Sequence, residues 1–163
     1  MQVEIRVNGQ KRSADVPPET TLLKFLREYL DLTGAKLGCD VGDCGTCTVI
    51  VDGEVVNSCI MLAVKANGSE VQTIEGLANN HQLHPLQEAF EELGSLQCGF
   101  CGTGMLMMAK KLLDDNPYPT RGEIRNHLAG NLCRCTGYTK IIEAIELAAK
   151  RIRFNDPGYT DYH

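Results

Sequence analysis

Apolar and polar residues alternate with a period of two over residues 2–7 and 11–16, on either side of Asn8-Gly9. Two alternating runs around an Asn-Gly pair predict a β-hairpin. Between Thr21 and Leu30 the period becomes helical. Leu22, Leu23, Leu26 and Leu30 share one side, and Thr20 or Thr21 stands where a capping hydroxyl is needed. Core packing accounts for that stripe. Thr48-Val49-Ile50-Val51 and Glu54-Val55-Val56-Asn57 flank Asp52-Gly53 and predict a second hairpin, and Glu70 to Ile74 reads as a further strand after Asn67-Gly68. Leu77 to His84 is a polar connector. From Pro85 onward the strand signals stop, and helices are predicted at about 86–93, 102–114, 120–129 and 139–151. Asn116-Pro117-Tyr118-Pro119 separates the second of these from the third. Thr120-Arg121-Gly122-Glu123 is a capping box that opens the third, and Gly130 stops it. The chain therefore divides near residue 80 into an α+β half, residues 1–76, and an all-α half, residues 85–152, joined by 77–84. The tail 153–163 has no period. It reads as a disordered end or as a docking arm on a partner.

Composition narrows the class. A hydrophobic share of 43% with 23% charged residues, in 163 residues, is that of a globular protein. The apolar runs are too short and interrupted for a transmembrane helix, and Met1-Gln2-Val3-Glu4 has no basic region followed by an apolar one. A net charge of -5, with no Lys/Arg block longer than two residues, excludes a nucleic-acid footprint. No G-x-S-x-G, Walker A or post-strand G-x-G-x-x-G sequence is present.

The eight cysteines carry the chemistry. Without an export signal, a reducing, cytoplasmic compartment is expected, where clustered cysteines bind metal or do redox work. They fall into two fours. Cys39, Cys44, Cys47 and Cys59 read C-x4-C-x2-C-x11-C, the spacing of plant-type [2Fe-2S] ferredoxins. Three thiolates on one tight loop let the backbone wrap a small cluster, and Gly38, Gly42 and Gly45 allow its N–H groups to turn toward sulfur. The fourth ligand comes by hairpin register. Pairing Val51 with Glu54 sets Cys47 opposite Ser58, one residue from Cys59. Cys98, Cys101, Cys133 and Cys135 read C-x2-C-x31-C-x-C. Two antiparallel helices joined by the Pro-rich turn bring their distant ends together, so Cys133 and Cys135 return beside Cys98 and Cys101. The N-termini of the helices starting near 102 and 139 then face one anionic cluster. Since each half has only ~80 residues, a metal cluster in each would act as a folding staple.

Structural zinc is the rival for both fours. It favours paired C-x2–4-C knuckles, and neither spacing has that form. Disulfides fit a reducing compartment poorly, and inert buried cysteine does not explain the grouping. His81, His84, His127 and His163 form no ligand-spaced pair and read as loop, surface or capping residues. Met105, Met107 and Met108 fit helix packing better than a cofactor surface. Arg134, between two candidate ligands, either tunes a cluster or forms an ion pair.

The cysteine loops also carry a resemblance. Gly38-Cys39-Asp40-Val41-Gly42-Asp43-Cys44-Gly45-Thr46-Cys47 closely resembles the first cluster loop of the molybdenum hydroxylase family. Gln97-Cys98-Gly99-Phe100-Cys101 and Gly130-Asn131-Leu132-Cys133-Arg134-Cys135-Thr136-Gly137-Tyr138 resemble its second site. That family includes xanthine dehydrogenase, aldehyde oxidoreductase and carbon monoxide dehydrogenase. The match spans about residues 2–152, and in length the chain is similar to the separate small iron–sulfur subunit. The resemblance implies a β-grasp, ferredoxin-like domain followed by a four-helix domain, each with one [2Fe-2S] cluster. It implies that Cys98, Cys101, Cys133 and Cys135 hold the cluster nearer molybdenum, and Cys39, Cys44, Cys47 and Cys59 the one nearer flavin. Gln97 and the Cys135 backbone match positions that approach the pterin of the molybdenum cofactor. Molybdenum and FAD would lie on separate large and medium subunits, in a heterotrimer or a dimer of heterotrimers. The implied role is electron transfer, one electron at a time, with no catalytic residue on this chain. A free-standing two-cluster ferredoxin and a zinc-stapled interaction module are the competing functions. No residue of a substrate pocket is expected here, although Leu37-Gly38-Cys39-Asp40 and Ala63 to Gly68 look nearer to the carbon monoxide and aromatic-substrate branches. One departure stands out: the family's Thr-Pro-Gly-Met after Cys101 is Gly102-Thr103-Gly104-Met105. Losing the helix-starting proline predicts a looser helix start and an additional N–H donor.

Overall fold

The computed structural model describes residues 1–155. The docking arm considered for the tail lies outside the described residues from 156 onward. Strands β1 (Gln2–Val7) and β2 (Gln10–Asp15) form the first hairpin, paired from Gln2 with Asp15 to Val7 with Gln10. Asn8 and Gly9 both take the positive φ that the tight turn needs, at 49° and 79°. β3 (Thr48–Val51) and β4 (Glu54–Asn57) form the second hairpin, with Val51 opposite Glu54 as the register predicts. β5 (Glu70–Gln72) lies between the hairpins, parallel to β1 and antiparallel to β3, giving the order β2-β1-β5-β3-β4. It stops before the predicted Ile74. The Thr73 N–H leaves the ladder to bond the Asn8 side chain at 2.9 Å, and a short 3-10 turn, Ile74–Gly76, follows.

One helix lies against this sheet. Its first turn, α1 (Leu22–Lys24), is capped by the Thr21 hydroxyl, and it continues as a π-helical turn over Phe25–Tyr29. Leu22, Phe25 and Leu26 are fully buried in one core with Val3, Ile5, Val49 and Val71. A mixed sheet folded over a helix is the β-grasp, ferredoxin-like arrangement.

The remaining helices are α2 (Pro85–Glu92), α3 (Gly102–Asp115), α4 (Arg121–His127) and α5 (Thr139–Phe154). α5 runs past the predicted Arg151, so Arg153 and Phe154 belong to the helix and not to the tail. Leu86, Met105, Ile124, Ile141 and Ile145 fill a second core among these four helices. Leu77, in the connector, is buried in it too. His84 caps α2: its Nδ1 accepts from the Leu86 N–H, and Pro85 supplies a preset φ at the first position. In α4 the Thr120 hydroxyl accepts from the Glu123 N–H, while the Glu123 carboxylate accepts from the Thr120 N–H. Thr120→Ala removes the hydroxyl half of that pair, leaving the residue 120 N–H on the Glu123 carboxylate, and lowers stability by about 1 kcal/mol. In a thermal melt this is a fall of about 2–4 °C.

The two cores touch through α3, which packs on β3. This explains why Thr48–Val51 is buried at every position. Val49 and Val51 face the first core, while Ile50 and Met107 are buried outside both cores on the two contacting elements. Met105 and Met107 thus serve packing. No helix among the described residues is long and apolar enough to cross a membrane.

Candidate metal centres

The first four cysteines meet where the loop after the π turn enters β3. Positive φ at Asp40 and Gly42, 60° and 84°, curls this loop so that backbone N–H groups face inward. The Asp43 and Cys44 N–H groups lie 3.2 Å and 3.3 Å from Cys39 Sγ. Hydrogen bonds from the Val41 backbone, then from Cys44 and Asp43, bring the Cys39 thiol down to about 6. Cys59 follows the hairpin as its register requires. The Ser58 hydroxyl donates to the Cys47 carbonyl at 2.6 Å, and Asn57 Nδ2 donates to the Gly42 carbonyl at 2.8 Å, so β4 grips the loop. Burial, reinforced by the hydrogen bond and charge of Cys47, pushes Cys59 up to about 12. The Cys44 sulfur lies 3.2 Å from the Thr46 hydroxyl, which itself donates to the Lys36 carbonyl at 3.0 Å.

The second four meet at the ends of the helices. Cys101 is the residue that starts α3, Cys98 lies in the loop before it, and Cys133 and Cys135 lie just before α5. Cys98 Sγ and Cys135 Sγ are 3.5 Å apart. Burial pushes Cys101 up to about 12, and its hydrogen bond to Cys133 adds to this. Burial alone would raise Cys133 as well, but bonds from the Thr136 hydroxyl and from the Thr136 and Cys135 backbone outweigh it and lower the thiol. The Phe100 backbone is the main cause lowering Cys98. Tyr138 secures the loop. Its hydroxyl accepts from the Cys133 N–H at 2.8 Å, while its own backbone holds the left-handed φ of 72°. The Ser95 hydroxyl, donating to the Lys140 carbonyl at 2.9 Å, ties the loop before Cys98 to the first turn of α5.

All eight cysteines are free thiols. The thiols contact one another in pairs: Cys39 with Cys44, Cys47 with Cys59, Cys98 with Cys135 and Cys101 with Cys133. Two thiolates per iron is the donor set of a [2Fe-2S] core, whereas one zinc ion takes all four. Backbone N–H groups aimed at sulfur also suit an anionic cluster. The residues present therefore fit two iron–sulfur clusters.

The two sites are joined directly. The Leu132 N–H, next to Cys133, donates to the Cys44 carbonyl at 2.9 Å. The buried Asn131 donates from Nδ2 to the Gly45 carbonyl at 3.1 Å and reaches Thr48 Oγ1 at 3.4 Å. Gly104 in α3 presses on the same loop: a β-carbon there would lie 2.1 Å from the Gly45 carbonyl oxygen. The start of α3 makes contacts of its own. Gly102 is buried against Leu96, and the Thr103 hydroxyl is anchored on the Gly34 carbonyl at 2.9 Å.

Gln97, Cys98 and Cys135 are exposed, as are Phe100 and Leu132 near them, and Arg134 is exposed too. Leu37, Val41 and Ile60 are exposed around the first site. His127, in α4, bonds the Met108 backbone away from both sites. Sequence reasoning missed Thr46, Thr103, Asn131, Thr136 and Tyr138 as supports. For Thr46 and Thr136 the signal was present, a hydroxyl beside a cysteine in Cys-Gly-Thr-Cys and Cys-Arg-Cys-Thr. For the others it was not, because their partners are distant or on the backbone.

Residues 5–78 match the family described as a 2Fe-2S iron–sulfur cluster binding domain, and residues 73–146 match a [2Fe-2S] binding domain. The nicotine 6-hydroxylase small subunit of Paenarthrobacter nicotinovorans is 48% identical over 145 residues, covering 89% of this chain and 87% of that one. The nicotinate dehydrogenase small FeS subunit of Eubacterium barkeri is 47% identical, covering 91% and 95%. In the crystal structure of quinoline 2-oxidoreductase from Pseudomonas putida 86, a chain superposes with a TM-score of 0.91 at 44% identity, with 98% of each chain covered.

Proposed function

The chain belongs to the small iron–sulfur subunits of the molybdenum hydroxylase family, and on that premise we propose that it carries electrons through two [2Fe-2S] clusters between cofactors held by two partner subunits. It is a non-catalytic electron-transfer subunit of an oxidoreductase. Cys39, Cys44, Cys47 and Cys59 hold one cluster and Cys98, Cys101, Cys133 and Cys135 the other. Residues 1–76 and 85–152 are the two functional units. Bound there, a [2Fe-2S] cluster takes up and gives back single electrons.

The chain's own residues then have three tasks. The buried Cys47, Cys59 and Cys101 keep water from sulfur. The N–H groups of Asp43 and Cys44 offset negative charge at the first site, as the Phe100 backbone does at the second, and so raise the potentials. The observation that carries the reading is the bond from the Leu132 N–H to the Cys44 carbonyl. It connects a ligand of one four to the neighbour of a ligand of the other without any intervening side chain.

The exposed Gln97, Cys98 and Cys135 form the face for a molybdenum cofactor held mainly by a large subunit, with Gln97 and the Cys135 backbone nearest its pterin. The exposed apolar Leu37, Val41 and Ile60 suit a second subunit, one that holds FAD. A reducing cytoplasm suits eight cysteines held as metal ligands and not as disulfides. The named relatives are small subunits of a nicotine 6-hydroxylase and a nicotinate dehydrogenase, so substrate screening begins with N-heteroaromatic compounds.

Size-exclusion chromatography of native extract tests the reading. The chain is expected in an assembly several times its own mass, with molybdenum in the same fractions and no substrate turnover by the isolated chain. Elution at the mass of the chain alone, with iron but no molybdenum, would instead identify a free two-cluster carrier.

A further inference from the structure

We infer that Thr103 is a positioning residue that sets the spacing between the two clusters, acting through the Gly34 peptide; this rests on the two-cluster reading above. Thr103 lies one helical turn or less from Cys101, at the start of α3. Its hydroxyl donates to the Gly34 carbonyl at 2.9 Å, across a sequence separation of 69 residues. The accepting residue is also held at its other backbone group, in the preceding peptide. The Gly34 N–H donates to Glu75 Oε1 at 2.7 Å, and Glu75 Oε2 accepts from the Thr73 hydroxyl at 2.6 Å. Thr73 is fixed in turn by both ends of the Asn8 amide, at 2.9 Å each. The carboxylate makes this a charge-assisted chain, stronger than one of neutral groups. It fastens the two backbone groups of Gly34, in successive peptides, to the first hairpin, to the turn after β5 and to the second-site helix.

A side chain at residue 34 would disturb this bonding. A β-carbon at residue 34 would lie 2.2 Å from Ile74 Cγ2 and 2.8 Å from Glu75 Oε1, so a side chain would drive away the carboxylate that holds the N–H. From Gly34 the chain continues directly into the first site. The Ala35 carbonyl accepts from Arg27 at 2.7 Å. The Lys36 N–H donates to the Thr46 carbonyl at 3.0 Å, and the Thr46 hydroxyl lies 3.2 Å from Cys44 Sγ. A short, fully bonded path therefore runs from beside Cys101 to beside Cys44. It reaches the first site at Cys44, where the Leu132 bond also ends, but through different residues: Gly34, Lys36 and Thr46. It adds to the Leu132 bond, the Asn131 bond to Gly45 and the packing of α3 on β3 a tie that acts on the loop leading into the first site. A proline at 103 could not make this bond, since it has no hydroxyl.

The test uses the full chain in its native assembly, with both clusters reduced, and reads the magnetic interaction between them by electron paramagnetic resonance. That interaction depends on their separation and not on fold stability as such. Thr103→Val, which keeps shape and loses the hydroxyl, is expected to weaken or shift the inter-cluster splitting at unchanged iron content. Thr103→Ser is expected to restore the parent spectrum. Glu75→Gln leaves Thr103 and every thiol in place and is expected to move the splitting the same way but less. It carries the test if Thr103→Val fails to retain iron. Unchanged splitting in the iron-replete variants would overturn the positioning role while leaving the two-cluster reading intact. A parent chain without two interacting iron–sulfur signals would overturn the two-cluster reading itself.

Discussion

Cys101→Ser is expected to cost the chain half of its iron and to leave the first site's signal in place. Cys101 is buried, starts α3 and contacts Cys133, so it belongs both to a metal site and to the packing of the helical core. Serine is a poor ligand for iron in a thiolate set, and its hydroxyl loses the soft sulfur contact. Because convergence of the ligands and folding are coupled, losing the cluster also frees the ends of α3 and α5. A loss of at least about 3 kcal/mol is expected, in the range of mutations that remove a structural metal. For a chain of this size that is a fall of roughly 6–12 °C in the melting temperature. Cys47→Ser is the mirror experiment: it should remove the first site's signal and spare the second. Iron analysis and electron paramagnetic resonance on both variants check the partition. Loss of both signals from either single variant would contradict the assignment of four thiols to each site.

Gly104→Ala has the next largest expected effect. Helix propensity alone favours alanine over glycine by about 1 kcal/mol. Contact decides the other way. The added carbon would lie 2.1 Å from the Gly45 carbonyl oxygen and 3.1 Å from its carbonyl carbon, and both are backbone atoms that no rotamer change can move. Gly45 is itself held at φ 72° and accepts the Asn131 bond, so its loop cannot simply yield. Overpacking of this kind costs about 1–3 kcal/mol, so a net loss is expected. The melting temperature should fall by several degrees, with α3 displaced from the first cysteine loop. Gly122→Ala in α4 is the control. Its nearest neighbour is 4.0 Å away, in the Thr120 side chain, and no positive φ is recorded there, so the same change should be neutral or stabilising. If Gly104→Ala melts no lower than Gly122→Ala, the close approach of α3 to the first loop is not the joint described above.

Those two glycines also mark what the sequence carries and what it does not. Features set within a few residues were legible. Asn8-Gly9 and Asp52-Gly53 fixed their hairpins, and the second fixed the register that brings Cys59 to Cys47. The capping box at Thr120 and the Pro-rich turn placed α4 and returned Cys133 to Cys101. Features that depend on long-range pairing were not. Nothing local says that β5 inserts between the hairpins parallel to β1, or that α3 covers the outer face of β3. The continuous apolar run Val49-Ile50-Val51 hinted at burial on both faces, but a periodicity reading cannot name the covering element. The supports of the cysteine loops were hidden for the same reason. Asn131 and the Gly45 carbonyl are 86 residues apart, and Thr103 looked like a loss of proline until its partner at Gly34 was in view.

The central claim is that each four of thiols holds a two-iron cluster and that the chain works within a molybdenum enzyme. Elemental analysis of the chain, purified without oxygen from its native host together with whatever it binds, tests this most directly. The expected result is iron and labile sulfide in equal amounts, two of each per cysteine set, with near-stoichiometric molybdenum from the partner. Zinc in place of iron and sulfide would contradict it.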